Sequence, residues 1–235
     1  MIKKAAILAA GEGSRIKSIS EFKPIVKING IPLLELTFTN LNFNNFKKTY
    51  IIFNEDEKKM DLSKLDCLKS KKTNYFFKNT ESSLHSLFEI NKKLKISSLE
   101  HYFVSMVDSI VRPEDGVKFY EFCKTLKPDE SAILVTSFIE DEAPLTLKIN
   151  SHGYVTEFQC PIEEGTLITS GVYCLSGNLT SLLKKLIENN QKKMRTFLTE
   201  AILQKFKIKA FCIKKTLDID RPEDIYSAEI FLKGI

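Results

Sequence analysis

The sequence predicts an α/β protein: a mostly parallel, mixed β-sheet flanked by helices, with a small β-hairpin insert in its second half. Three observations carry this. Strand-like and helix-like stretches alternate along nearly the whole chain, the pattern of a parallel sheet covered by helices. Several strand candidates are continuously apolar, as strands buried on both faces are. The 235 residues are 43% hydrophobic and 28% charged, a balance that excludes disorder, collagen and a disulfide scaffold.

The elements follow in order. Ala5–Ala9 is a short apolar run that reads as a strand. Pro32 to Phe46 carries Leu33, Leu34, Leu36, Leu41 and Phe43 at roughly helical spacing. Lys48–Phe53 and Thr73–Phe77 read as the next two strands. From Ser82 to Leu94, Leu84, Leu87, Phe88 and Leu94 share one helical face, with Ser82 or Ser83 as N-cap. Tyr102–Val107 is another buried-type strand, ending at Asp108. Pro113 opens a helix expected to reach Leu126, since proline suits a first turn. Ala132–Phe138 is again a strand. Between Leu145 and Cys174 the pattern breaks into short strands punctuated by Asn150-Ser151-His152-Gly153 and Glu163-Glu164-Gly165, which reads as a hairpin-like insert. Helices are expected over Leu179–Asn189 and Phe197–Phe206, a strand over Lys209–Ile213 and a last helix after Pro222. No repeat, low-complexity tract or linker interrupts the chain, so residues 1–235 read as one domain with halves at 1–110 and 111–235.

Charge and cysteine usage narrow the class. The formal net charge is +5, and the lysines come as scattered pairs such as Lys47-Lys48 and Lys192-Lys193. That distribution reads as a solvated surface rather than a nucleic-acid patch. The five cysteines are odd in number and form no CxxC pair, which argues against a zinc site and against disulfides and fits a reduced, cytoplasmic setting. No apolar run approaches the roughly 18–20 residues of a membrane helix. The opening apolar run is strand-length and meets Gly11-Glu12-Gly13-Ser14-Arg15 where a secretion signal would be cleaved, so it is not such a signal. The three histidines lack spaced partners and read as surface or capping residues.

The first strand runs directly into Ala9-Ala10-Gly11-Glu12-Gly13-Ser14-Arg15. Glycines there allow a sharp turn and bring backbone N–H groups close to a polyphosphate. A dinucleotide fingerprint would need a third glycine where Ile16 stands, and a Walker A loop has no match. A phospho-receiver domain would place Lys-Pro after its strand-end aspartate, whereas Lys23-Pro24 precedes Asp108.

With Arg15, Lys23-Pro24 and Gly30-Ile31-Pro32-Leu33-Leu34 added, the segment from Ala5 to Glu35 resembles the opening AAGxGxR, KP and G-x-P-[LM]-[LI] motifs of nucleotidyltransferases. These couple NTPs to sugar phosphates, alcohol phosphates or the molybdenum cofactor, in the MobA-like NTP transferase fold. Further stretches continue the likeness: Asn79-Thr80-Glu81-Ser82-Ser83-Leu84, the strand Phe103 to Asp108, Thr169-Ser170-Gly171-Val172-Tyr173, Thr199-Glu200-Ala201-Ile202, and Asp218-Ile219-Asp220-Arg221-Pro222-Glu223-Asp224. Within that family the chain is most similar to small inositol-phosphate and phosphocholine cytidylyltransferases.

The resemblance implies a Rossmann-like sheet of the nucleotide-diphospho-sugar transferase type and transfer of NMP, with CMP favoured, to a phosphorylated small metabolite. It implies Mg²⁺ as cofactor, held by Asp108 and Asp220 with Asp218 in reserve, and Arg15 and Lys23 as the catalytic cations. Ala9, Ala10, Gly11, Glu12 and Gly13, together with Thr80, Ser82 and Ser83, would bind the nucleotide. Glu157, Gly171 and Arg221 are the acceptor-side candidates. No nucleic acid or membrane partner is expected, and the oligomeric state, monomer or dimer, stays open. Three departures stand out. Val107 replaces a common glycine before the metal aspartate, Gln159-Cys160-Pro161 replaces a Glu-x-Lys-Pro stretch, and Arg221 replaces a common threonine. Loss of that lysine points from hexose 1-phosphates, with UTP or GTP as the alternative donors, toward a smaller phosphorylated alcohol. A catalytically silent nucleotide-binding regulator is the other reading.

Overall fold

The computed structural model describes residues 2–140 and 143–233. In chain order the elements are β1 (Lys4–Ala9), β2 (Lys27–Ile28), β3 (Ile31–Pro32), α1 (Leu33–Asn40), β4 (Lys48–Phe53), β5 (Thr73–Phe77), α2 (Ser83–Leu94), β6 (His101–Met106) and β7 (Ser109–Ile110). There follow α3 (Pro113–Cys123), β8 (Glu130–Thr136), β9 (Thr146–Ile149), β10 (Val155–Phe158), β11 (Leu167–Ser176), α4 (Thr180–Glu188), α5 (Met194–Leu203), β12 (Lys207–Ile213), β13 (Leu217–Asp218) and α6 (Pro222–Lys233).

β1 lies in the middle of a parallel run β5-β4-β1-β6, with Ile7 level with Ile51 and Ser105. Its side chains alternate between two cores, as the pleat requires. Ala5, Ile7 and Ala9 join Leu34, Phe38, Phe46, Phe103 and Phe119 on the α1/α3 side. Ala6, Leu8 and Ala10 join Leu84, Leu87, Leu183 and Phe197 on the α2/α4/α5 side. Burial on both faces explains the continuously apolar sequence.

The sheet becomes mixed at β11, which runs antiparallel to β6 and to β8, while β12 is parallel to β8. β11 changes partner along its length. Leu167 and Ile168 pair with β9, whereas Val172 to Ser176 pair with β6. The β9–β10 hairpin is thereby carried past the end of β6. A third core of Ile16, Val26, Ile28, Ile110, Leu217, Ile219 and Phe231 lies under α6. It joins the segment after the glycine loop to the chain's last strand.

Local chemistry sets the element ends. The Ser82 hydroxyl accepts from His85 N–H and starts α2. Lys95 ends it with φ 49. α1 is shorter than its periodicity predicts, because Asn42 turns left-handed at φ 59 and Phe43 begins a separate turn buried at 1% exposure. α3 likewise stops at Cys123 rather than Leu126, and α5 spans Met194–Leu203 rather than Phe197–Phe206. Asp224, in the first turn of α6, accepts from the backbone N–H groups of Asp220 (2.8 Å) and Arg221 (2.7 Å). Among the described residues no helix is long and apolar enough to cross a membrane, and all five cysteines are free thiols.

A capped turn follows β4. The Asn54 side chain accepts from Asp56 N–H at 3.0 Å, and Glu57 Oε2 accepts from Asn54 N–H at 2.7 Å. Glu57 is only 3% exposed, and burial pushes its carboxyl up to about 8 against the pull of the Asn54 hydrogen bond. The folded chain therefore keeps a proton that an unfolded chain, with a carboxyl of 4.5, releases. This contribution to stability is full at low pH and is lost as pH rises through about 8. The thermal unfolding midpoint should fall between about pH 5 and about pH 9, and Glu57→Gln, neutral but still able to accept from Asn54, should flatten that fall. An unaltered pH slope in the variant would show that Glu57 is ionised in the fold.

Candidate active site

The site begins at the carboxyl end of β1. Gly13 takes φ 55, and a Cβ there would stand 3.0 Å from Lys23 Cβ, so a side chain would crowd the lysine stem in a backbone conformation that favours glycine. Lys23 is 8% exposed, and its Nζ donates to Asp108 Oδ2 at 2.6 Å and to Asp220 Oδ1 at 2.7 Å. Arg15 Nη2 donates to the other oxygen of Asp220 at 2.9 Å. Burial alone would lower the Lys23 pKa; the charge of Asp108 and the hydrogen bonds to both carboxylates outweigh it and raise it above the ordinary ammonium range. For Asp220 burial pushes the pKa up, and the Lys23 hydrogen bond with the charges of Lys23 and Arg15 brings it below the usual value.

Three contacts place Asp108. Val107 N–H donates to Leu8 O at 3.1 Å, and Val107 O accepts from the Thr37 hydroxyl at 2.8 Å, so valine is accommodated beside the aspartate. β7 then pairs antiparallel with β13, setting Ser109 against Asp218 and Ile110 against Leu217. Ile219 N–H donates to Asp108 O at 3.1 Å, which carries Asp220 to the far side of Lys23. Asp220, not Asp218, therefore shares the lysine with Asp108.

Three adjoining recesses form one crevice around this centre. Leu8, Ala10, Gly11, Thr80, Ser82, Ser83, Ser86 and Met106 line the first. Gly11, Gly13, Arg15, Lys23, Asp108 and Asp220 line the middle one, about 250 Å³. The first two share Leu8, Gly11, Glu12 and Met106. The third is lined by Phe138, Glu140, Thr169, Asp218 and Arg221, and shares Arg15 and Asp220 with the middle.

Most residues expected from the sequence thus converge. Ala9 remains inside β1, buried at 1% exposure. Ser82 and Thr80 reach the crevice while engaged, Ser82 as the α2 cap and Thr80 Oγ1 with Ser86 Oγ at 2.6 Å. Arg221 lines the third recess. Glu157 is exposed on β10 and outside all three recesses. Gly171 also lies outside them, behind Ser109. Met106, Ser86, Phe138 and Glu140 were not picked out by sequence. Met106 had a readable signal, standing two residues before Asp108 at a strand end.

The donor set suits Mg²⁺, a hard cation held by one or two carboxylates with phosphate oxygens and water. Asp108 and Asp220 offer such oxygens, and they already converge on one cationic atom, Lys23 Nζ.

The family model for the MobA-like NTP transferase domain matches residues 5–201. No curated protein matches the sequence. Among solved structures, the inositol-1-phosphate CTP transferase from T. maritima is 18% identical with TM-score 0.75, covering 97% of this chain and 95% of its own. A UDP-glucose pyrophosphorylase complexed with UDP-glucose is 17% identical with TM-score 0.76, covering 98% of both. The CTP:phosphocholine cytidylyltransferase from Streptococcus pneumoniae is 17% identical with TM-score 0.74, covering 98% of this chain and 99% of its own. At these identities the likeness establishes the shared fold: a mixed sheet flanked by helices.

Gly171 has φ 70 at the bulge of β11, and a Cβ there would stand 2.3 Å from Ser109 Oγ and 3.1 Å from Met106 Cγ. Gly171→Ala should therefore lower stability by about 1–3 kcal/mol and displace the Asp108 corner. Denaturant unfolding checks the first effect and loss of turnover in the folded variant the second.

Proposed function

The chain belongs to the MobA-like NTP transferase family and is a nucleotidyltransferase, and within that class we propose that it moves CMP from CTP to the phosphate of a small phosphorylated alcohol, releasing pyrophosphate. The observation that carries the reading is the quartet Arg15, Lys23, Asp108 and Asp220 at the middle of a three-part crevice. The reaction brings two phosphate groups together for in-line displacement, so its demands are charge neutralisation and alignment. Arg15 presents a planar fork to the departing β- and γ-phosphates. Lys23 supplies a point charge where donor and acceptor phosphates approach. The backbone around Gly11 and the Ser82–Ser83 turn hold ribose and base in the first recess. Mg²⁺ held by Asp108 and Asp220 would neutralise phosphate charge and orient the α-phosphate.

The third recess is the acceptor side, and Arg221 is its phosphate ligand. Two features support a small acceptor. Gln159 and Cys160 carry no positive charge, and the Gln159 amide donates to Thr199 Oγ1 at 3.1 Å, so this stretch offers no cation to an acceptor phosphate. CTP is supported by neighbours of the same size whose names carry it. The likeness to a UDP-glucose pyrophosphorylase favours the second reading, UTP with a hexose 1-phosphate.

A matrix of four NTPs against phosphorylated acceptors, read by pyrophosphate release, tests the assignment. CTP with a small alcohol phosphate should be the fastest pair. Hexose 1-phosphate with UTP as the fastest pair would establish the second reading, and no release with any pair would leave a nucleotide-binding regulator.

Two substitutions test the roles. Asp220→Asn should abolish most turnover while the fold survives, because the Mg²⁺ site loses a hard ligand. Full activity would move the assignment to Asp218. Arg221→Ala should raise KM for the acceptor and leave KM for NTP nearly unchanged; unaltered acceptor kinetics would remove Arg221 from the site.

A further inference from the structure

The cation between Asp108 and Asp220 is the protein's own. Lys23 Nζ touches both carboxylates, and Arg15 takes the remaining oxygen of Asp220. Lys23 and Arg15, both assigned to phosphate, are thus bound to groups assigned to the metal, and the four charges cancel. Asp224 offers no relief, since its Oδ2 already holds the backbone N–H groups of Asp220 and Arg221.

Neither ligand fits this arrangement alone. A divalent cation entering by itself would meet a fixed ammonium and a guanidinium beside the carboxylates it needs. A triphosphate entering by itself would approach two carboxylates whose neutralising partners it must take away. When both arrive together, every charge exchanges one partner for another. The carboxylates pass from ammonium to metal, and the two cations pass from carboxylate to phosphate. The Lys23 stem is held against the Gly13 turn, so the exchange requires only its distal bonds to rotate within a recess it already lines.

We propose that Lys23 is a resident counter-ion that keeps divalent metal out of the Asp108–Asp220 site until a nucleoside triphosphate draws it away, so that metal and nucleotide bind as a coupled pair. The proposal rests on the reading of those two aspartates as metal ligands. By linkage the coupling is reciprocal, and effects of this kind run to about 5–150-fold.

The test titrates the full chain with Mn²⁺ alone, without nucleotide, following free Mn²⁺ by electron paramagnetic resonance. Wild type should bind weakly, and Lys23→Met should bind about tenfold more tightly or better. Lys17→Met, which removes a cation from a neighbouring recess that Lys23 also lines, should leave the affinity unchanged. Equal affinity in wild type and Lys23→Met overturns the proposal, as does an equal gain in Lys17→Met, which would mean a general field effect. Adding Asp108→Asn or Asp220→Asn to Lys23→Met should abolish the gain. A gain that survives both overturns the metal-ligand reading itself. Thermal unfolding gives a second readout: Mg²⁺ should raise the midpoint of Lys23→Met and leave wild type unmoved, and the reverse pattern refutes the idea. Should Lys23→Met fail to fold, Lys23→Gln carries the same expectations.

Discussion

An ammonium shielded from water must be met by negative charge, and Lys23 draws that charge from carboxylates 85 and 197 residues away along the chain. Three segments must therefore meet: the turn after the glycine loop, the end of β6 and the chain entering α6. Apolar packing makes the meeting possible. Ile16, Val26 and Ile28 from the first segment pack with Ile110 beyond the second and with Leu217 and Ile219 before the third. The pairing of β7 with β13 then sets the register, and the Ile219–Asp108 backbone hydrogen bond completes it.

The same requirement explains the tightness of the Asp108 corner. Its backbone is held from three sides, by Leu8 of β1, by Thr37 of α1 and by Ile219, and Gly171 is squeezed against the serine that follows it. Such convergence of rigid elements on one side chain favours a reaction in which alignment, more than bond-forming chemistry by the protein, lowers the barrier. The acidic and basic members of the quartet neutralise one another at rest, so a strongly charged centre is kept at little cost in self-repulsion.

The crevice follows the sheet. Its middle lies at the carboxyl ends of the parallel strands β1 and β6, where α/β sheets open toward ligands. The first recess is closed by the start of α2 and the third by the segment around β13, so, Arg15 apart, the two sides draw on opposite halves of the chain. β11 makes this possible by leaving β6 for β9 beyond its bulge, which carries the hairpin out past the end of β6, two residues short of Asp108. Glu157 sits on that hairpin's exposed side, and Phe138 and Thr169 line the acceptor side instead.

Sequence alone determined the α/β class, the strands Lys48–Phe53 and Thr73–Phe77 to the residue, a serine cap on α2 at Ser82 or Ser83 and the glycine loop with its two cations, because each is written in local periodicity, capping chemistry or motif spacing. It also singled out Asp108, which a strand-end position marks. Local pattern did not separate Asp218 from Asp220; only the family resemblance put Asp220 first and kept Asp218 in reserve. Two residues apart in extended chain, they have the same parity, and only the antiparallel pairing with β7 decides which one meets Lys23. It did not reveal that Lys23 is buried, since a lysine in a loop reads as solvated until two distant carboxylates are brought within 2.7 Å of it. Helix α1 ended early for a similar reason: Phe43 is drawn into the ring cluster with Phe38, Phe46 and Phe103, a long-range demand that overrides helical periodicity. Contacts between neighbours in sequence are encoded locally. The register between distant strands, on which the charge pairing depends, exists only once the sheet has formed.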